Sequence, residues 1–299
     1  MTTESGLAAA ITSPDAEPPE PCPTPLAWEQ VLAAFRNQSR PFTCQRAGYL
    51  ISGRQWGMGP PLYFLGGLTG DHELFSLTAW LLRDHFRCVL YDYPSVSGRL
   101  HPVDWADDLM AVADSLNDNC FSIVATSLGG IPALTGMRSY PQRIERAVLQ
   151  GAFAYRRLRL AERTLIRVCL QLPGSIGSLP FRRKIHTANH RSWFPPWDHT
   201  RWQFFEDNTG RTSIRAAAQR AKAVQVFDAR PWLKEVQAPV MLIRGEGEGL
   251  VTSNCLDELE TGLVDCRSEP LHTTGHVPWL THPHRFAGLV RDFLLESDS

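Results

Sequence analysis

The sequence predicts an α/β fold: a mostly parallel sheet with helices on both faces and a helical insertion after the sixth strand. Three observations predict it. From Leu62 to Gly151, short apolar runs alternate with amphipathic stretches, the rhythm of parallel strands joined by right-handed helical crossovers. Over residues 152–227 that rhythm stops, leaving helical periods with Pro and Gly breaks and no convincing strand. It returns at Pro239–Arg244 and runs to the end of the chain. With 299 residues, 43% of them hydrophobic, the chain can bury one large core and still carry an insertion.

The elements follow in order. Residues 1–25 hold Pro14, Pro18, Pro19, Pro21, Pro23 and Pro25 among Glu, Ser and Ala, and are predicted to be a disordered tail. Trp28 to Asn37 places Trp28, Val31, Leu32 and Phe35 on one helical face. Cys44 to Gln55 reads as one or two strands broken by Gly48 and Gly53. Leu62 to Leu65 is a short buried strand that ends in the Gly-rich loop Gly66-Gly67-Leu68-Thr69-Gly70. Phe75 to Phe86 is predicted helical and Cys88 to Tyr91 a strand. Val103 to Leu116 is a helix whose early acids, Asp104, Asp107 and Asp108, suit its dipole. Phe121 to Val124 and Ala147 to Gln150 are strands flanking a helix over Ile131 to Tyr140. Cys266 to Leu271 is the last strand and His284 to Leu295 the last helix. The division that results is a core of residues 26–151 and 228–299, with a helical cap at 152–227.

Composition excludes several classes. The net charge of −1 gives no global argument for nucleic acid. No apolar run approaches the roughly 20 residues a bilayer needs. The seven cysteines are scattered and odd in number, without metal-binding spacing, so reduced thiols are expected and no metal or cofactor is implied. The first positive charge is Arg36, so no signal peptide is read at the N-terminus and the chain is expected to be cytoplasmic.

The chemistry centres on Ser127. The strand Phe121–Val124 runs into Ala125-Thr126-Ser127-Leu128-Gly129-Gly130 and then a helix. A serine held on a sharp strand-to-helix turn needs small neighbours on both sides, and Ala125 and Gly129 provide them. A serine hydroxyl is a poor nucleophile at neutral pH. It needs a base to take its proton and a carboxylate to fix the tautomer of that base.

The turn around Ser127, the Gly-rich loop after Leu65 and the Gly275-His276-Val277-Pro278 loop together resemble the α/β-hydrolase superfamily, over roughly residues 45–295. Ala125 stands where that family usually has Gly, Thr126 where it often has His, and Gly66-Gly67-Leu68 where it usually has His-Gly-x. The resemblance implies the chain order nucleophile, acid, base, with Ser127 as nucleophile and His276 as base. Glu248, in Gly245-Glu-Gly-Glu-Gly-Leu-Val251, falls on the family's Asp position, and Glu246 is the alternative. It also implies an oxyanion hole from the backbone N–H groups of Leu68 and Leu128. His272, His282 and His284 are read as bystanders and Asp228 as structural.

The insertion carries 14 Lys/Arg against 4 Asp/Glu. Its Trp193, Trp197 and Trp202, with Gly67 from the core, are candidate pocket residues for a small apolar or acyl substrate. Arginines such as Arg156, Arg157, Arg182 and Arg183 could face an anionic head group, unless this charge is simply a solvated helical face. The Thr164 to Leu172 segment is amphipathic and could lie over the site mouth or touch a membrane, with packing into the core the expectation favoured. Pro61 to Gly70, Tyr93-Pro94, Thr126-Ser127-Leu128-Gly129-Gly130 and the arginine-rich insertion are also similar to the maspardin-type branch of the superfamily, whose members serve partly as binding proteins. Two functions follow: a serine hydrolase of a carboxylic ester or thioester, or an inactive interaction protein on the same fold. Acyl transfer, amide hydrolysis and C–C bond hydrolysis share the same nucleophile. A protein partner or a homodimer is left open.

Overall fold

The computed structural model describes residues 27–94 and 101–296; the proline-rich tail lies outside them. Helix α1 (Trp28–Gln38) buries Val31, Leu32 and Phe35, the face its period marks. Strands β1 (Arg40–Arg46) and β2 (Tyr49–Trp56) form an antiparallel hairpin. Gly48 makes the turn at φ +89°. Gly53 does not break the strand as expected. It lies inside β2, where a Cβ would stand 2.3 Å from the Leu90 carbonyl oxygen and 2.6 Å from Phe42 Cζ, so it marks a close approach within the sheet.

Strand β3 (Pro61–Leu65) precedes a short 3-10 turn and helix α2 (Ser76–Leu82). This helix ends earlier than its pattern suggests, because the His85 and Phe86 N–H groups both bond back to the Leu82 carbonyl and close the turn. Strand β4 (Arg87–Tyr91), helix α3 (Pro102–Ser115), strand β5 (Phe121–Thr126), helix α4 (Gly130–Ser139) and strand β6 (Ile144–Gln150) complete the first run. Helices α5 (Leu160–Cys169), α6 (Arg182–His190), α7 (His199–Arg211) and α8 (Ile214–Val226) lie between β6 and the next strand. Strand β7 (Val240–Gly245), helix α9 (Ser253–Gly262), strand β8 (Cys266–Leu271), the short helix α10 (Pro278–Thr281) and helix α11 (Pro283–Leu295) finish the chain.

The eight strands form one sheet in the order β1-β2-β4-β3-β5-β6-β7-β8. Every pairing from β4 onward in that order is parallel; only the pairings of β2 are antiparallel. All six residues of β5 are buried, as a central parallel strand covered on both faces requires. Alternation divides the core: Tyr63, Leu65, Ile123 and Ala125 enter one cluster, and Leu62, Phe64 and Val124 the other. Each large side chain so buried stabilises the fold by about 1.5–3 kcal/mol. The consequence for function is positional. The sheet order puts β5 between β3 and β6, so the loops after β3, β5 and β6 open at one edge, the C-terminal edge of the parallel strands.

The inserted helices depart from one expectation. Helix α5 buries only Ile166, while Leu165 is 62% and Val168 51% exposed, so the amphipathic face does not pack into the core. Its buried stripe is one side chain wide because α5 rests mainly on α8.

Candidate active site

Ser127 follows β5 directly and adopts φ +52°, backbone geometry that residues with a Cβ rarely take. The turn demands close packing. At Gly129 a Cβ would stand 2.2 Å from the Leu65 carbonyl oxygen, and at Gly130 it would stand 2.7 Å from the Ala152 Cβ. Glycines therefore let the elbow press against β3 and the end of β6. The Gly66–Leu68 loop lies beside it: a Cβ at Gly67 would stand 3.7 Å from the Ser127 Cβ. That loop is braced from behind. The Tyr93 hydroxyl donates to the Gly66 carbonyl at 3.1 Å, and Arg220 of α8 donates to the Leu68 carbonyl at 3.0 Å. Arg220 also reaches the Tyr93 carbonyl at 3.3 Å. Nothing in the sequence marked Arg220, since it is one of fourteen cations in the insertion.

Glu248 and His276 are brought together from the loops after β7 and β8. The His276 Nδ1–H donates to Glu248 Oε2 at 2.6 Å; a carboxylate can only accept, so this bond fixes the proton on Nδ1 and leaves Nε2 as the basic nitrogen. The other oxygen, Oε1, accepts from the Leu250 and Val251 N–H groups at 3.0 and 3.1 Å. The Glu248 side chain is only 5% exposed. Burial pushes its pKa up, but the His276 donor and the Val251 and Leu250 N–H groups outweigh burial and hold it below the ordinary carboxylate value. Glu246 points elsewhere: it is 60% exposed and accepts from the Thr273 N–H at 2.9 Å. Of the two acids weighed from sequence, the structure pairs Glu248 with the imidazole.

A cavity of about 440 Å³ lies over these residues. Leu68, Ser127, Leu128 and His276 line its floor, and Leu165, Ile166, His186 and His190 line its roof from α5 and α6. The roof has a polar core of its own. His186 Nδ1–H donates to Glu206 of α7 at 2.7 Å, and Arg182 donates to Thr209 Oγ1 at 2.7 Å. His190 is buried beside them, its ring 6.2 Å from that of His276. Burial, followed by the neighbouring His276 and His186, pushes the His190 pKa down to about 3. It is therefore neutral at ordinary pH and does not repel a protonated His276.

The tryptophans correct the sequence reading. Trp193, Trp197 and Trp202 do not line this cavity. Trp197 is 81% exposed. Trp202 packs on Phe194 and Phe205 with ring centroids 5.1 and 5.8 Å away. Trp193 instead packs against two glycines: a Cβ on Gly247 would stand 1.7 Å from its ring, and one on Gly275 would stand 2.4 Å away. Among the basic residues, Arg156 lines the cavity but is paired with Glu162 at 2.8 Å, and Arg182 is turned inward onto the α7 backbone. Arg157 and Arg183 are exposed.

A serine on a strained turn, an imidazole tied to a buried carboxylate and a Gly-rich loop at the C-terminal edge of a parallel sheet define an α/β-hydrolase class of protein. The chain belongs to the alpha/beta hydrolase family, whose pattern it matches over residues 49–289. It is similar to RutD of Serratia proteamaculans strain 568, named for carbamate hydrolysis, with 21% identity over 257 residues covering 83% of this chain and 96% of that one. It is also similar to the pimeloyl-[acyl-carrier protein] methyl ester esterase of Neisseria meningitidis serogroup C, at 28% identity over 199 residues, 62% of this chain and 75% of the relative. In fold it resembles the crystal structure of a hydrolase from Pseudomonas aeruginosa PA01, with TM-score 0.75 and 21% identity, covering 87% of this chain and 99% of the other.

Proposed function

We propose that the chain is a serine hydrolase that cleaves a carboxylic ester or thioester through Ser127, His276 and Glu248. In this reading His276 Nε2 takes the Ser127 hydroxyl proton as Oγ attacks the carbonyl carbon. The Leu68 and Leu128 N–H groups receive the negative charge that develops on the carbonyl oxygen. His276 then passes its proton to the leaving alcohol or thiol as the C–O or C–S bond breaks, leaving an acyl-serine. Water enters, gives a proton to His276 and attacks that acyl group; His276 then returns the proton to Ser127 Oγ as the acyl C–O bond breaks, releasing the carboxylic acid. Glu248 stays ionised throughout, fixing the imidazole tautomer and stabilising the imidazolium.

The observation that carries this reading is the 2.6 Å bond from His276 to a buried, ionised Glu248, beside the cavity that also exposes a serine held at φ +52°. The inserted helices serve as a cap in this reading, excluding water from the reacting carbonyl. Leu68, Phe153, Leu165, Ile166 and Val224 offer apolar walls that suit an acyl chain. The names of the two relatives, one a methyl ester esterase and one a carbamate hydrolase, both describe attack at a carbonyl.

A fluorophosphonate probe tests it. Wild type should label at Ser127 and hydrolyse p-nitrophenyl esters of short to medium chain, and Ser127→Ala should lose both while keeping its melting temperature. Labelling elsewhere, or none at neutral pH, would overturn the hydrolase reading in favour of a binding protein on the same fold. Comparing ester, thioester and carbamate substrates by kcat/KM then ranks the substrate classes.

A further inference from the structure

Helices α5 and α6 carry an exposed apolar surface of which Leu165 alone also serves as a wall of the hydrolytic cavity. On α5, Leu160, Leu165 and Val168 are 78, 62 and 51% exposed, and Leu172 just beyond the helix is 37% exposed. At 100° per residue they fall on one side of the helix, away from buried Ile166. On α6, Ile185 is 58% exposed, and Phe181 at its start is 76% exposed. Phe181 also adopts φ +62°, a left-handed conformation that is a genuine outlier for a bulky residue. A strained backbone that pushes a phenyl ring into solvent calls for a use.

The charge carried by this stretch of chain is mostly of one sign, with Arg183 lying 3.7 Å from Glu206 of α7. Residues 156–185 contain eight Lys/Arg and a single acid, Glu162, which is already paired with Arg156. Arg157, Arg159, Arg167, Arg183 and Lys184 are exposed, and on α5 the Arg163 and Arg167 positions border Leu160 along the helix. The surface also reaches the cavity. Leu165 lines the cavity while remaining 62% exposed. On α6, exposed Asn189 lines the cavity one turn beyond Ile185. Leu165 of α5 therefore borders the cavity, and Ile185 of α6 stands one turn from a residue that also lines it.

We propose that the α5–α6 face is a docking surface for an anionic lipid bilayer. The protruding Leu, Val, Ile and Phe side chains enter the boundary between headgroups and acyl chains, and the surrounding arginines hold anionic headgroups. A fluid acyl layer closes around six separate protruding side chains, whereas a rigid protein partner would need matching holes for each. The docked orientation turns the cavity entrance toward lipid, so an acyl compound dissolved in the bilayer has a direct path to it. No helix among the described residues is long and apolar enough to cross a membrane, and this attachment requires none.

Co-sedimentation with vesicles tests the surface without relying on turnover. The full chain should bind 70:30 phosphatidylcholine/phosphatidylglycerol vesicles at least tenfold more tightly than pure phosphatidylcholine, and 0.5 M NaCl should weaken that binding at least tenfold. The triple variant Leu160→Gln, Val168→Gln and Phe181→Asn should lose at least tenfold in vesicle affinity. None of the three lines the cavity, and asparagine tolerates the left-handed backbone at 181, so hydrolysis of a short soluble ester should stay within about twofold. Absence of sedimentation, or sedimentation that the triple variant leaves unchanged, overturns the proposal. So does a concentration-dependent dimer that competes with vesicles and vanishes in the triple variant, because a second copy would then be the occupant. Vesicle binding by a chain that fails the fluorophosphonate test keeps the docking surface and discards only the hydrolase.

Discussion

Gly151 closes β6 directly against the His276 ring. It sits at φ +57°, and a Cβ there would stand 3.0 Å from His276 Cε1, 3.1 Å from Nδ1 and 2.9 Å from Glu248 Oε2. The backbone end of the strand therefore forms one wall of the slot that holds the acid and the imidazole. Gly151→Ala adds a methyl group to that slot and places an L-side chain in the left-handed region, at a cost of about 1–2 kcal/mol from the backbone alone. The expected result is a loss of at least tenfold in kcat, with a melting temperature lower by about 3–6 °C. Steady-state kinetics and a thermal melt check it; full activity in the alanine variant would contradict the geometry.

Glu248 and Glu246 lie two residues apart but in unlike surroundings, one buried against His276 and one exposed beside Thr273. Glu248→Gln removes the acceptor that fixes the imidazole tautomer, and losses of about 10³–10⁴ in kcat are expected for that defect. Glu246→Gln should change kcat by less than about threefold. Rates of fluorophosphonate labelling for the two variants give the comparison independently of substrate. Equal, large losses would mean that the loop as a whole, and not the Glu248 side chain, supports the imidazole.

The pH dependence of stability carries the same signature. The Glu248 pKa is depressed in the folded chain, below an ordinary value of 4.5. The unfolded chain therefore takes up this proton first on acidification, and the stabilisation from the Glu248 carboxylate is present in full above about pH 4.5 and lost as pH falls through the lower, folded value. The gap in melting temperature between wild type and Glu248→Gln should stay level from pH 7 to pH 5.5 and narrow below pH 4.5. A gap that widens on acidification would mean that the folded state holds Glu248 protonated.

The sheet and the order of the site residues were legible because local pattern decides them. A central parallel strand must be buried along its length, and β5 is; a serine on a sharp turn must have small neighbours, and Ala125 is buried, Gly129 meets the Leu65 carbonyl and Gly130 meets the Ala152 Cβ. Pairing Glu248 rather than Glu246 with His276 depends on how a loop of alternating glycines folds, and spacing alone left both open. The insertion was harder to read. Its helical periods place each amphipathic face relative to its own axis, but which face meets the core depends on how four helices pack on one another. Thus Leu165 and Val168 came out exposed and Ile166 buried. Arg220 was hidden for another reason: its role is to hold two backbone carbonyls, at Leu68 and Tyr93, and a carbonyl contact leaves no trace in the partner's side-chain identity.

Trp193 gives the sharpest case, because its two roles predict different kinetics. A tryptophan in the wall of the substrate cavity acts on binding, and its removal would raise KM. The structure instead lays the indole across Gly247 and Gly275, the residues immediately before Glu248 and His276. Those two loops are also joined by the Gly247 N–H donating to the Thr274 carbonyl at 2.8 Å. The ring thus sits against both the acid loop and the imidazole loop, in room that the two glycines leave. Trp193→Ala should lower kcat by about tenfold or more with KM changed by less than about twofold, since a misplacement near 1 Å at the reacting groups costs on the order of 10²-fold. Trp193→Phe, which keeps a flat ring, should recover most of the loss. Gly275→Ala, which lifts the indole from below, should reproduce the kcat defect of Trp193→Ala, and combining the two should cost no more than either alone. A rise in KM at constant kcat in Trp193→Ala would return this residue to the pocket wall.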